Sequence, residues 1–232
     1  MNYFANFLTL LSLVFGFVSI IFSLESHFTF ASWAIMLSVI FDGLDGQVAR
    51  HNPAPSDFGR ELDSLVDVAS FGIAPVILGY IFIYQQFYPW ATCALFIYLL
   101  SSVLRLAKYN ITHKEKLNNY FYGLPTTISG GLLASFVLIY RRGKGLSASV
   151  HLVFLLIVLL LSFLMVSRIR YLNLDGLKQL FGRRFLLVIL SFIALLILAG
   201  ILNKAGVFTF TLYSLYLLFS PFVVKRLNSE PR

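Results

Sequence analysis

The feature that most constrains this chain is the recurrence of apolar runs about as long as a bilayer is thick. They lie at roughly 6–24, 29–49, 62–84, 89–108, 122–140, 148–167, 185–202 and 205–224, and each approaches the ~20 residues that a helix needs to cross the hydrocarbon core. Backbone polar groups in lipid must be satisfied within the segment, so runs of this length predict helices. The composition agrees: 59% hydrophobic and 12% charged residues, with 24 phenylalanines, exceed what a soluble globule can hide. The expected fold is all-α, a polytopic transmembrane bundle of about eight helices forming one membrane domain over residues 1–232. The first run lacks a basic leader and a small-residue cleavage site, and reads as a retained span. Cys93, the only cysteine, excludes an intrachain disulfide and is expected to pack in mid-span. The histidines are expected in loops or at interfaces.

An even number of spans puts both termini on one side. With the N-terminus inside, all but Arg141, Arg142, Lys144 and Lys204 of the 18 Lys and Arg residues fall at cytoplasmic ends, as the positive-inside preference requires. RRGKG at 141–145 is the loop that runs against it. The protein is therefore expected in the cytoplasmic membrane. The net charge of +8 suits orientation and anionic headgroups, making membrane lipids the expected partners. No basic stripe with interleaved aromatics points to nucleic acid.

Against this background the window FDGLDGQVARHNPAPSDFGRELDSLVDVASFG, residues 41–72, stands out. It holds Asp42, Asp45, Asp57, Glu61, Asp63 and Asp67, six of the ten acidic residues in the chain. Asp42, Asp45, Gly46 and Ala49 form one stripe of the second span, and Asp63 and Asp67 share a face of the third. The prolines of HNPAPSDF break the helix between them, and Ser56 or Asp57 is placed to cap the next one. A carboxylate at the centre of a span costs roughly 2.5 to 3.5 kcal/mol, so four cost on the order of 10 to 14 kcal/mol if unpaired. Arg50 and Arg60 are too few to neutralise them. Hard divalent ions with oxygen ligands, one or two Mg²⁺ or Mn²⁺, answer the need. Small Gly46 and Ala49 leave room for a bulky group, and Arg50 offers a fork for phosphate. Together these residues imply a phosphorylated substrate, a diphosphate for preference, handled at the membrane surface.

The run from Asp42 through Asp45-Gly46, Ala49-Arg50, Gly59 and Asp63 to Asp67 resembles, without a gap, the signature of the CDP-alcohol phosphotransferases. The resemblance implies that the four aspartates hold two divalent ions against the diphosphate of a CDP-linked donor, and that Asp67 is also the general base. It assigns Gly46, Ala49, Arg50 and Gly59, with Asn6 and Thr9 of the first span, to donor binding, and it implies a homodimer. The strings FGRELDSLVDVASFGIAP, RLAKYNI, GLP and LMVSRIRYLNL are similar to the branch that transfers a phosphatidyl group from CDP-diacylglycerol to L-serine, releasing CMP.

Serine carries a carboxylate that needs its own cation. Arg105, set between apolar Leu104 and Leu106, is costly unless it faces a polar cavity, and Ser70, Arg168 and Arg170 are further candidates for the serine pocket. Two other readings stay open. One is the same scaffold with another acceptor, glycerol 3-phosphate or inositol phosphate; the other is a cation channel or transporter built on membrane aspartates. No HxKxxxxD pattern surrounds any histidine, which argues against a covalent phosphatidyl intermediate.

Overall fold

Apolar runs without interior breakers propagate as helices, and most of the chain does so. The computed structural model describes residues 3–50, 57–112, 120–140, 147–173, 199 and 204–229. In order these form α1 (Tyr3–Leu24), α2 (Phe28–Arg50), α3 (Asp57–Asp67), a π-helical turn (Val68–Ile73) and α4 (Ala74–Thr112). There follow β1 (Tyr120–Tyr122), α5 (Thr126–Ile139), α6 (Ala148–Val166), β2 (Arg170–Leu172) and α7 (Ala205–Ser229). Among the described residues, six stretches are long and apolar enough to cross a membrane: Tyr3–Leu24, Phe28–Ala49, Asp57–Ile83, Pro89–Ile111, Ala148–Val166 and Ala205–Arg226. The chain is a multi-pass helical membrane protein. The run expected at 185–202 lies outside the described residues, residue 199 aside, as does the loop at 141–145.

Small polar residues close the helix contacts. Ser26, with φ 60, turns the chain between α1 and α2. The two helices are then clasped by Ser12 and Ser38, whose hydroxyls lie 2.7 Å apart, while Ser38 Oγ donates to the Ser12 carbonyl at 2.9 Å. Ser70 in the π-helical turn donates to the same carbonyl at 3.3 Å. A Cβ on Gly16 would stand 2.5 Å from Ser70 Oγ, so the glycine is what lets these backbones meet, a common device between membrane helices.

α4 does not run straight. A Cβ on Gly79 would meet Leu95, one on Gly72 would meet Leu99 and Ser102, and the Tyr98 hydroxyl donates to the Phe71 carbonyl at 3.1 Å. These contacts pair the stretch ending at Ile83 with that beginning at Pro89, so the chain doubles back between them, where proline removes a helical donor. Aromatic rings fill the centre: Phe82 packs on Phe154 at 5.4 Å and on His151 at 5.6 Å.

The fold is all-α apart from one small antiparallel ribbon, in which β1 and β2 pair Tyr120 with Leu172 and Tyr122 with Arg170. Three expectations are corrected. The run at 122–140 yields only the 14-residue α5. Gly123 at φ 76 and the extended Pro125 delay the helix start, and a helix enclosed by protein need not match the bilayer thickness. Cys93 is exposed on the outer face of its span, while His151 is buried in α6.

The ends of the elements sort into two levels. Ser64 bonds Asn110, Arg105 bonds Thr126, the Gly123 N–H bonds the Ile169 carbonyl and the Leu172 N–H bonds Ser220 Oγ. The C-terminal ends of α2, α4, α6 and α7 and the N-terminal ends of α1, α3 and α5 therefore share one end of the bundle. Ala205 lies at the other end, clustered with Met36 and Leu138.

Candidate active site

At that shared end, helical spacing turns the acidic side chains inward. Asp42, Asp63 and Asp67 each present a carboxylate oxygen, and these oxygens all lie within 4.8 Å of one another. The Asp42 and Asp67 carboxylates are therefore close enough to share a cation. Asp45, one turn from Asp42, stands apart from this trio but is only 4% exposed. Thr9 of α1 lies near it, its hydroxyl donating to the Ala5 carbonyl at 3.0 Å. Asn6, one turn earlier on α1, is half-buried, as are Gly46 and Ala49 on α2 and Gly59 on α3. Arg50 closes α2, and its side chain lies outside the described residues. Arg60 turns outward and pairs with Asp57.

The site fits a divalent cation on two counts. Asp67 Oδ1 and Asp45 Oδ2 are buried without hydrogen-bond partners among the described residues, and buried anionic oxygens left bare are costly. The donor set is all carboxylate, which suits hard ions such as Mg²⁺ or Mn²⁺. Asp42, Asp63 and Asp67 are placed to hold one ion together, with Asp45 beside them.

The π-helical turn follows directly on Asp67. Its Ala74 N–H reaches back five residues to the Ala69 carbonyl, a geometry that is rare and concentrated at functional sites. Ser64, next to Asp63, exchanges hydrogen bonds with Asn110 on α4 at 2.9 and 3.1 Å, fixing the rotation of α3.

Arg105 is buried at 9% exposure. Its Nη1 donates to Thr126 Oγ1 at 2.9 Å, and Thr126 Oγ1 donates to Asp67 Oδ2 at 3.4 Å. Its Nε has no partner among the described residues. Beside it lies a cavity of about 630 Å³ that also meets Lys108, Tyr109, Tyr122, Met165 and Arg168. Of the residues proposed from sequence for serine, Arg105 and Arg168 line this cavity. Arg170 does not; its guanidinium stacks on the rings of Tyr120 and Tyr122, at 4.9 and 5.6 Å. Ser70 is engaged with Ser12 in the helix contact described above. Sequence reasoning missed Thr126 and Tyr122, although both flank the quoted GLP, residues 123–125, whose glycine and proline mark a forced turn.

Fold and site together define an integral membrane protein with a cluster of aspartates, fit to hold a cation, at one end of its helical bundle. Residues 2–167 match the model of the CDP-alcohol phosphatidyltransferase family, and the chain belongs to that family. It is 33% identical over 192 residues to a CDP-diacylglycerol–serine O-phosphatidyltransferase of Helicobacter pylori, covering 83% of this chain and 80% of that protein. A protein of the same name from Methanocaldococcus jannaschii is 34% identical and is covered to 72%, as is this chain. An archaetidylserine synthase of Methanothermobacter thermautotrophicus is 34% identical, covering 74% of this chain and 70% of that one. The family match contains every aspartate of the site and ends before β2 and α7.

Proposed function

We propose that this chain is a CDP-diacylglycerol–serine O-phosphatidyltransferase of phospholipid biosynthesis. The observation that carries the reading is the gathering of Asp42, Asp63 and Asp67 oxygens within 4.8 Å, in a family whose similar members bear that activity in their names. Bound Mg²⁺ or Mn²⁺, two ions by the family pattern, would neutralise the donor diphosphate and the departing CMP.

The protein's own groups do the rest. Asp42, Asp45, Asp63 and Asp67 hold the ions. Gly46, Ala49, Arg50 and Gly59, with Asn6 and Thr9, cradle the donor. Arg105 grips the serine carboxylate, with Arg168 at the same cavity. Asp67 Oδ1 accepts the proton as the serine hydroxyl attacks the lipid-side phosphorus; a new P–O bond forms, the bond to CMP breaks, and phosphatidylserine remains in the membrane.

The eight-span arrangement belongs to the same proposal. Leu172 and Ala205 lie at opposite ends of the bundle, which supports an even count with the site and both termini on one face. The lysine and arginine distribution supports that face being cytoplasmic, in the cytoplasmic membrane. One domain and a homodimer complete the reading. The test is incorporation of radiolabelled serine into lipid by the purified protein with CDP-diacylglycerol and Mn²⁺. Transfer to glycerol 3-phosphate or inositol phosphate in place of serine would replace the acceptor, and ion flux without transfer would replace the enzyme.

A further inference from the structure

Hydroxyl groups within these helices mostly bond back to their own backbone. Thr9 donates to the Ala5 carbonyl, Ser23 to Ser19, Ser162 to Val158 and Thr209 to Ala205, the usual habit of serine and threonine in membrane helices. Thr126 is different. It is fully buried in the first turn of α5, and its hydroxyl joins two ionisable side chains, Arg105 and Asp67, that are 21 and 59 residues away.

We infer that Thr126 is a positioning residue of this site, one that fixes which oxygen of Asp67 is held and keeps Arg105 from pairing with that carboxylate. The inference rests on the proposed function. A guanidinium has no acceptor and an ionised carboxylate has no donor, whereas a hydroxyl has one donor and two acceptors. The polarity is thereby forced: Arg105 Nη1 donates to Oγ1, and the single hydroxyl proton goes to Asp67 Oδ2. Oδ1 is left without a partner, available to an ion or a proton. Arg105 Nε also remains unpartnered. Without the spacer, the arginine fork would close on Asp67 bidentately, silencing the base and the acceptor cation together.

The backbone around Thr126 is built to hold this position. Gly123 at φ 76 donates its N–H to the Ile169 carbonyl at 2.8 Å, and the Leu124 N–H reaches the Leu164 carbonyl at 3.0 Å. These bonds tie the start of α5 to the end of α6, two residues before the hydroxyl is needed.

The experiment compares full-length Thr126→Val, which keeps the shape and removes the hydroxyl, with Thr126→Ser, which keeps the hydroxyl. Two readouts are taken: kinetics with serine and CDP-diacylglycerol, and Mn²⁺ affinity by electron paramagnetic resonance without substrates. Thr126→Val should lower kcat and weaken Mn²⁺ binding, each by roughly 10- to 100-fold, the range for losing a bond that orients a metal ligand. The KM for CDP-diacylglycerol should stay within about twofold, and Thr126→Ser should recover most of both losses. Val values equal to the parent's, or Ser values as poor as Val's, overturn the inference. If Thr126→Val fails to insert, Thr126→Ala against Thr126→Ser gives the same contrast. A parent protein that binds Mn²⁺ but transfers nothing to serine refutes the functional reading instead, and the Mn²⁺ series still decides the role of Thr126.

Discussion

Ser64 and Asn110 hold each other across 46 residues of sequence, Asn110 Nδ2 donating to Ser64 Oγ at 2.9 Å and Ser64 Oγ lying 3.1 Å from Asn110 Oδ1. The pair locks α3, and with it neighbouring Asp63, against the end of α4. Asn110→Ala should cost about 1 kcal/mol of stability, the usual net worth of such a bond, and should raise the Mn²⁺ concentration needed for half-maximal activity. Thermal unfolding in detergent and a Mn²⁺ titration of turnover check both; an unshifted titration would detach this pair from the site.

Asp42→Asn, Asp45→Asn, Asp63→Asn and Asp67→Asn keep side-chain volume and remove charge. Each should reduce serine transfer by about 100-fold or more while leaving the protein inserted. Of the four, Asp67→Asn should retain donor binding best relative to its loss of turnover, because it alone removes the proton acceptor. EDTA should abolish activity in the parent and Mn²⁺ or Mg²⁺ should restore it; full activity in chelated buffer would end the metal reading.

Arg105→Lys preserves the charge and loses the planar fork. The KM for serine should rise by about tenfold or more, while that for CDP-diacylglycerol moves by less than about twofold. Steady-state kinetics with each substrate varied in turn separates the two, and equal loss toward both would assign Arg105 to the donor or the scaffold.

Two glycines give opposite expectations. A Cβ on Gly123 would lie 2.2 Å from the Met165 carbonyl oxygen, on a backbone with φ 76. Gly123→Ala should therefore destabilise by more than the ~1 kcal/mol of a left-handed residue alone. Around Gly43 in α2 nothing lies within 4 Å of the added atom, and Gly43→Ala should be neutral or stabilising by up to about 1 kcal/mol. Melting temperatures of the two variants, measured side by side, test the packing directly.

The aspartate pattern was readable because helical spacing is a local property: positions 42 and 45, or 63 and 67, share a face whatever the rest of the chain does. The apolar runs were readable for the same reason, since bilayer thickness sets their length. Thr126 was not, because its role depends on partners 21 and 59 residues distant, and no periodicity in TTISGG announces them. Neither was the ribbon, whose three-residue strands are shorter than any alternation pattern. Arg105 was legible as a misplaced charge, but its intermediary was not. The shortness of α5 followed from burial among neighbours, a property of the packed bundle.

The π-helical turn at Val68–Ile73 also bears on which insertions and deletions this gene can tolerate. It adds one residue to the helical phase between Asp67 and the buried row of Phe71, Ala74 and Leu78. Removing one residue there would let the wide turn close to ordinary winding with the flanking faces nearly in phase, whereas removing one from the regular helix on either side would rotate one side of the junction by about 100° relative to the other. In that case either the carboxylates would swing out of the site or the core row would swing toward lipid. Single-residue length variation within this stretch of helix should therefore collect at these six positions, which contain no charged side chain of their own.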